Sequence, residues 1–141
     1  MLNRILVPLD QSQRSEKALP FAYELAQKNG ATLTLLTVVT LLDTSETTPG
    51  LERVNEYRQE RARLYLERRM GEAREATGKD VATELRVGPP ADVIADVADE
   101  QDINVIVMSS EGESATGRHG MGSVALKVLL AAQCPVLVVR A

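Results

Sequence analysis

The sequence predicts one α/β domain with a five-stranded parallel sheet and helices on both faces. Short apolar runs alternate with helical stretches along the whole chain. The length of 141 residues is that of one ordinary domain. The 44% apolar and 26% charged residues are typical of a soluble globular protein. We therefore expect a single domain over residues 1–141. Its expected strand order is 3-2-1-4-5, which right-handed crossovers favour.

The strands are predicted from apolar and β-branched runs. They are expected at 4–9, 31–39, 81–87, 103–108 and 135–139. The third run alternates apolar and polar residues, which indicates a half-exposed edge strand. The fourth is continuously apolar, as a central parallel strand is. The fifth is apolar on both faces although the predicted order places it at an edge.

Four helices are expected between these strands. The first is predicted to begin after Ser12, interpreted as its N-cap, and to end at Gly30. The second spans 51–77, and its many Arg and Glu residues indicate a solvated face rather than a binding patch. The third follows Pro89-Pro90, and the fourth spans about 123–132.

Composition argues against several classes of partner. The net charge of −4 with no Trp, one Phe and three Tyr makes nucleic acid an unlikely ligand. The longest apolar region, 33–42, is well below the ~20 residues of a membrane helix, so we expect no membrane insertion. The single cysteine, Cys134, excludes an internal disulfide. A cytoplasmic location is the simplest expectation.

The predicted topology also locates a ligand site. In open α/β sheets, ligands bind beyond the carboxyl ends of the strands, where the winding reverses direction. With the order 3-2-1-4-5 that point lies between strands one and four. Asp10 follows strand one, and a loop rich in Gly and Ser begins at Ser109 after strand four. We therefore expect both at the binding site.

Two common phosphate motifs do not fit this loop. Residues 112–119 resemble a P-loop, but Arg118 replaces the lysine and His119 replaces the magnesium-binding hydroxyl residue. Residues 117–122 have the glycines of a dinucleotide fingerprint in reversed spacing. Neither motif is therefore predicted here.

A different spacing fits better. Ser109, Gly112, Gly122 and Ser123 form S-x2-G-x9-G-S, which resembles the nucleotide loop G-x2-G-x9-G-[ST] of the universal stress protein family. Ser109 stands in place of the first glycine. Four more stretches resemble that family in the right order: DQSQRSEKAL, LLTVV, GPPADVI and CPVLVVR. The resemblance covers nearly the whole chain, and the order of the five pieces is its specific feature.

Members of this family are small α/β dimers, and those with the loop motif bind ATP without a well-defined catalytic reaction. The resemblance implies that Asp10 lies near the ribose, Val38 beside the adenine, and the start of the last helix at the phosphates. The nucleotide-binding residues it implies are Pro8, Leu9, Asp10, Val38, Met108, Ser109, Gly112, Gly122, Ser123 and Val124.

Physical arguments support an anion site at this loop. A helix N-terminus offers unpaired N–H groups, and glycines let the backbone approach a ligand. The Ser123 hydroxyl and Arg118 are further candidates for phosphate contacts. The Ser109 side chain is expected to narrow the pocket, and the negative charges of Glu111 and Glu113 are expected to repel the phosphates. We therefore expect weak or Mg²⁺-assisted ATP binding.

Alternative interpretations stay open. Asp10, alone or with Ser12, and Ser123 are also plausible helix N-caps. The function expected first is an ATP-binding stress-response or regulatory protein. The second is a module without ATP that binds protein partners or cyclic AMP. The third is a slow ATPase or autophosphorylating enzyme, although Ser114 and Thr116 have no evident base beside them.

The last strand predicts an assembly. Residues 135–139 form an apolar edge, and a bare apolar edge favours pairing with another chain. We expect a homodimer joined through this strand, in agreement with the resemblance. The alternative is an unpaired strand covered by its own helices.

Overall fold

Strands and helices alternate along the chain in the predicted order. The computed structural model describes residues 1–44, 48–112 and 121–141. The strands are β1 (Arg4–Pro8), β2 (Thr32–Val39), β3 (Val81–Val87), β4 (Val105–Ser109) and β5 (Val136–Val139). A short 3-10 helix (Ser15–Ala18) leads into α1 (Leu19–Asn29), and α2 (Leu51–Thr77), α3 (Pro90–Glu100) and α4 (Ser123–Ala131) follow. Within the described ranges, no helix is long and apolar enough to cross a membrane.

The five strands form one parallel sheet in the order β3-β2-β1-β4-β5, which confirms the predicted topology. Register is set by pairs such as Val7 with Leu35, and Leu6 with Ile106. β1 lies at the centre, where Leu6 and Val7 are fully buried. The winding reverses between β1 and β4, as expected.

Apolar side chains cover both faces of the sheet. On one face, β1 and β2 pack against residues of α1 and α2, namely Ala22, Ala26, Leu66 and Ala73. On the other face they pack against α3 and α4, through Ala91, Ile94, Val97, Ala98, Ala125 and Val128. Small alanines on the helices permit close approach to the large aliphatic residues of the strands. Helices therefore lie on both faces, as predicted.

The start of the first helical region differs from the prediction. The 3-10 helix begins at Ser15 and has Arg14 as its N-cap, so neither Asp10 nor Ser12 holds that position. The side chains of these two residues form hydrogen bonds within the preceding turn instead. Local side-chain bonds of Asp and Ser compete with helical capping, and this competition moves the helix start.

Other boundaries shift by one or two residues. β4 begins at Val105 rather than at Ile103, because the Ile103 N–H donates to Ala98 O at the end of α3. β5 begins at Val136 rather than at Pro135, which lacks the N–H that ladder pairing needs. α2 and β3 have the predicted bounds.

Both edges of the sheet have the predicted character. β3 is half-exposed, and Val87 at its end is 48% exposed. β5 pairs with β4 on one side only, and Leu137 in its middle is 40% exposed. An apolar side chain is therefore left in water along an edge strand.

Candidate functional site

A cavity of about 700 Å³ opens at the carboxyl ends of β1, β2 and β4. It lies at the point where the winding of the sheet reverses, and the N-terminus of α4 closes one side. All ten residues predicted as the nucleotide site line it: Pro8, Leu9, Asp10, Val38, Met108, Ser109, Gly112, Gly122, Ser123 and Val124. The structure thus brings them together around one space, while their role as nucleotide ligands stays a prediction.

Nine further described residues line the cavity, and of these only Glu111 was expected near the ligand. They are Ser15, Leu36, Thr40, Pro90, Ile94, Ser110, Glu111, Met121 and Ala125. Leu36 lies two residues before Val38 on β2 and therefore on the same face of the strand. Because side chains on a strand alternate between its two faces, Leu36 could have been predicted from Val38. Ile94 comes from α3, and only the tertiary fold brings it here.

Asp10 is held by a turn immediately after β1. Its Oδ1 accepts hydrogen bonds from the Ser12 backbone N–H, at 3.0 Å, and from the Ser12 hydroxyl. Gln11 between them has φ 72°, in the left-handed region. The buried Ser15 hydroxyl accepts from the Asp10 N–H at 3.3 Å and donates to Ser12 O at 2.8 Å. This Asx-type turn fixes the direction of the Asp10 carboxylate.

Gly112 lies directly against that carboxylate. A methyl group added at Gly112 would overlap Asp10 Oδ2. Because the turn at Ser12 restrains the short Asp10 side chain, the carboxylate has little freedom to give way. The second position of the loop spacing therefore needs a glycine because the backbone lies against Asp10, a reason other than the approach to a ligand that the sequence suggested.

Gly122 closes the described part of the loop. Its N–H donates to Ser110 O at 2.6 Å, and an added methyl group would lie 3.0 Å from that oxygen. The two described flanks of the loop therefore touch backbone to backbone. Residues 113–120 lie outside the described residues, and with them Glu113, Ser114, Thr116, Arg118 and His119.

The start of α4 presents N–H groups to the cavity. Gly122 is the N-cap in an extended conformation, and no side chain caps the helix. The prediction of Ser123 as N-cap is therefore wrong, and Ser123 is the first helical residue. The first helical hydrogen bond is donated by Leu126 to Gly122 O at 3.0 Å. The N–H groups of Ser123, Val124 and Ala125 precede it, and such groups attract anions.

Ser109 ends β4 and is only 5% exposed. Its Oγ accepts a hydrogen bond from the Glu111 backbone N–H at 3.3 Å. Ser109 is not among the described non-glycine residues with positive φ, which are Gln11 and Asp102. The backbone at this loop position therefore does not need glycine, and the serine affects only the space and the hydrogen bonds.

Helix α2 holds the wall of the cavity that follows β2. Asn55, 7% exposed, accepts a hydrogen bond from the Leu42 N–H at 2.7 Å and donates to Leu42 O at 2.9 Å. Arg58 donates to Thr40 O at 2.9 Å. Sequence reasoning missed Asn55, although it lies two helical turns before the buried Ala62 and so on the same face. A polar residue on an apolar face was the available signal.

Glu16 connects the 3-10 helix beside the site to α2. It accepts a hydrogen bond from the Tyr65 hydroxyl and pairs with Arg69 at 3.3 Å. The Arg69 guanidinium lies 5.4 Å from the centre of the Tyr65 ring. Burial, followed by the hydrogen bond to Glu16, raises the pKa of Tyr65 well above its usual range. The hydroxyl therefore stays protonated and keeps donating to Glu16.

The charge on the cavity wall is negative. Asp10 and Glu111 are the titratable side chains among the described lining residues, which include no Lys or Arg. Apolar residues such as Leu36, Val38 and Ile94 line the end near β2 and α3. The cavity therefore has an apolar end suited to a flat ring and a polar end with helix N–H groups. Among the described residues, no group of three or more His, Cys, Asp or Glu side chains is placed to hold a metal ion.

The fold, with its cavity at the topological switch point, is that of a doubly wound α/β protein. The sequence pattern of the universal stress protein family matches residues 1–140. The universal stress protein YxiE of Bacillus subtilis is 35% identical, over 99% of this chain and 100% of YxiE. The chain belongs to the universal stress protein family.

Solved structures agree with this assignment. The universal stress protein UspA from Lactobacillus plantarum has a TM-score of 0.86 and 29% identity, over 99% of this chain and 98% of UspA. A universal stress protein from Archaeoglobus fulgidus in complex with dAMP has a TM-score of 0.65 and 27% identity, over 98% of both chains.

Replacing Asn55 tests how α2 holds the cavity wall. Asn55→Ala removes both hydrogen bonds to Leu42 from a buried position, so we expect a loss of about 1–3 kcal/mol in the free energy of unfolding. Urea denaturation measures it. The control is Glu56→Ala on the exposed neighbour, with an expected change within about 0.5 kcal/mol. Equal stability of the two variants would contradict the role given to Asn55.

Proposed function

We propose that this protein is a regulatory protein that binds an adenine nucleotide, specifically ATP, in the cavity between β1 and β4. One observation carries the proposal. The ten residues implied by the resemblance all line a single cavity with an apolar end and a helix N-terminus at the other end. Its volume, about 700 Å³, lies within the range of small-molecule sites. The dAMP complex of the Archaeoglobus fulgidus relative supports an adenine nucleotide as the ligand class.

In the proposed complex the adenine lies between Val38 and Ile94, at the apolar end. Asp10 accepts a hydrogen bond from a ribose hydroxyl, which suits a carboxylate already oriented by Ser12. The phosphates accept hydrogen bonds from the N–H groups at the start of α4 and from the Ser123 hydroxyl. This orientation keeps the most negative part of the ligand at the helix N-terminus.

Mg²⁺ is the proposed companion of ATP. Asp10 and Glu111 contribute negative charge to the cavity wall, and a triphosphate brought beside them is repelled. A divalent cation offsets that repulsion, since carboxylate and phosphate oxygens are ligands that Mg²⁺ prefers. We therefore propose Mg²⁺-ATP as the bound species.

We propose binding rather than catalysis as the role of this site. The Asp10 carboxylate accepts two hydrogen bonds from Ser12 and lies against Gly112, so it is poorly placed to take a proton from water. The protein would then signal through the difference between its nucleotide-bound and nucleotide-free states. Slow ATP hydrolysis and cyclic AMP binding are the alternatives that the titration below separates. A cytoplasmic location completes the proposal.

We also propose that the protein acts as a homodimer joined along β5. The strand is an edge of the sheet, and Leu137 on it is 40% exposed. Further exposed leucines lie on the helix before it, at Leu126, Leu129 and Leu130. Pairing with a second β5 would satisfy the open backbone groups of the edge and cover apolar surface.

Calorimetric titration with ATP, ADP and cyclic AMP tests the nucleotide site. We expect ATP to bind the wild type, and Gly122→Val to weaken binding by roughly tenfold or more, because its side chain would press on Ser110 O. Gly71→Ala is the matched control, since no neighbouring atom lies within 4 Å of an added methyl group there. ATP binding unchanged in Gly122→Val would overturn the assigned site, and phosphate release measured with Mg²⁺ would favour the ATPase.

Charge on β5 tests the proposed dimer. Val138→Asp and Leu137→Asp each place a carboxylate on the edge strand, so we expect monomers in sedimentation velocity where the wild type sediments as a dimer. Leu137→Asp changes an exposed side chain and is the milder variant for folding, which circular dichroism checks. Dimers that persist in both folded variants would exclude β5 as the interface.

A further inference from the structure

Ser109 occupies the one position at which this loop departs from the family spacing, and its hydroxyl is bonded within the loop. Its Oγ accepts the backbone N–H of Glu111 at 3.3 Å. Both residues line the cavity. With a glycine at 109, no acceptor would lie there and the Glu111 N–H group would be free for a ligand. Serine hydroxyls commonly form such local bonds to backbone N–H groups two residues ahead.

Neighbouring backbone donors are also held inside the protein. The Ser110 N–H donates to Val139 O at 2.7 Å, and the Gly122 N–H donates to Ser110 O at 2.6 Å. These two bonds join backbone groups and hold β5 and the loop in place. The bond from Glu111 is different, because its acceptor is a side chain that a single substitution removes. A phosphate that takes this donor must first break the bond to the Ser109 hydroxyl, and that loss lowers the net gain in binding.

We propose that Ser109 sets the affinity of the cavity for phosphate by keeping the Glu111 N–H group bonded away from the ligand. The proposal rests on the nucleotide-binding function proposed above. With this donor held, the phosphates depend on the N–H groups of α4, while the carboxylates of Asp10 and Glu111 repel them. Ser109 therefore lowers the affinity for ligands that carry phosphate groups, such as AMP and ATP. It leaves the affinity for adenosine unchanged.

Two variants separate the hydroxyl from the bulk of the side chain. Ser109→Ala removes the acceptor and keeps Cβ, whereas Ser109→Gly removes both. Each is titrated calorimetrically with adenosine, AMP and Mg²⁺-ATP, beside the wild type. We expect Ser109→Ala to bind AMP and ATP about three- to tenfold more tightly, as the net contribution of one ordinary hydrogen bond would give. The affinity for adenosine should stay within about twofold in the same variant.

Ser109→Cys provides a second test, because its side chain is slightly larger than that of serine and its sulfur accepts hydrogen bonds only weakly. Like Ser109→Ala, this variant should bind AMP and ATP more tightly than the wild type does. If Ser109→Gly alone binds AMP and ATP more tightly, the size of the side chain at position 109 is the cause, and the proposal is overturned. Weaker AMP and ATP binding in Ser109→Ala would make the hydroxyl a phosphate ligand, which also overturns it. Adenosine, AMP and ATP failing to bind all four proteins would instead refute the proposed function itself.

Discussion

The carboxylate of Asp10 and the backbone of Gly112 lie so close that no side chain fits between them. This contact joins the end of β1 to the loop after β4, across the switch point of the sheet. Ser12 orients the carboxylate, and Gly122 closes the loop on the backbone of Ser110. The cavity depends on these contacts because they decide where the loop ends and α4 begins. A binding site at this place needs a short acid and glycines rather than large side chains.

The rest of the fold supports that contact from two sides. Through Glu16, Tyr65 and Arg69, α2 holds the 3-10 helix that follows the Asp10 turn. Through Asn55 the same helix holds the segment after β2. One long helix therefore contacts segments on two sides of the cavity.

Much of this arrangement was predictable from the sequence, and the exceptions have physical reasons. The apolar periods located all five strands, and the ends of α2 and β3 were found because Gly and Pro punctuate them. The helix start after Asp10 was wrong because local side-chain bonds replace capping there. Asn55 was missed because its partner, Leu42, is thirteen residues away, and periodicity does not predict such a contact. The ten residues implied by the resemblance line one cavity, because a resemblance along the whole chain carries information on the three-dimensional fold.

Amide chemical shifts during titration with Mg²⁺-ATP test the central claim most directly. We expect the largest changes at Ser123, Val124 and Ala125 at the start of α4, with further changes at Val38. Adenosine should move Val38 while affecting the α4 amides much less, because it has no phosphate. Changes confined to a shallower concave surface at the start of α2, around Gly50 and Arg53, would instead exclude the cavity between β1 and β4 as the nucleotide site.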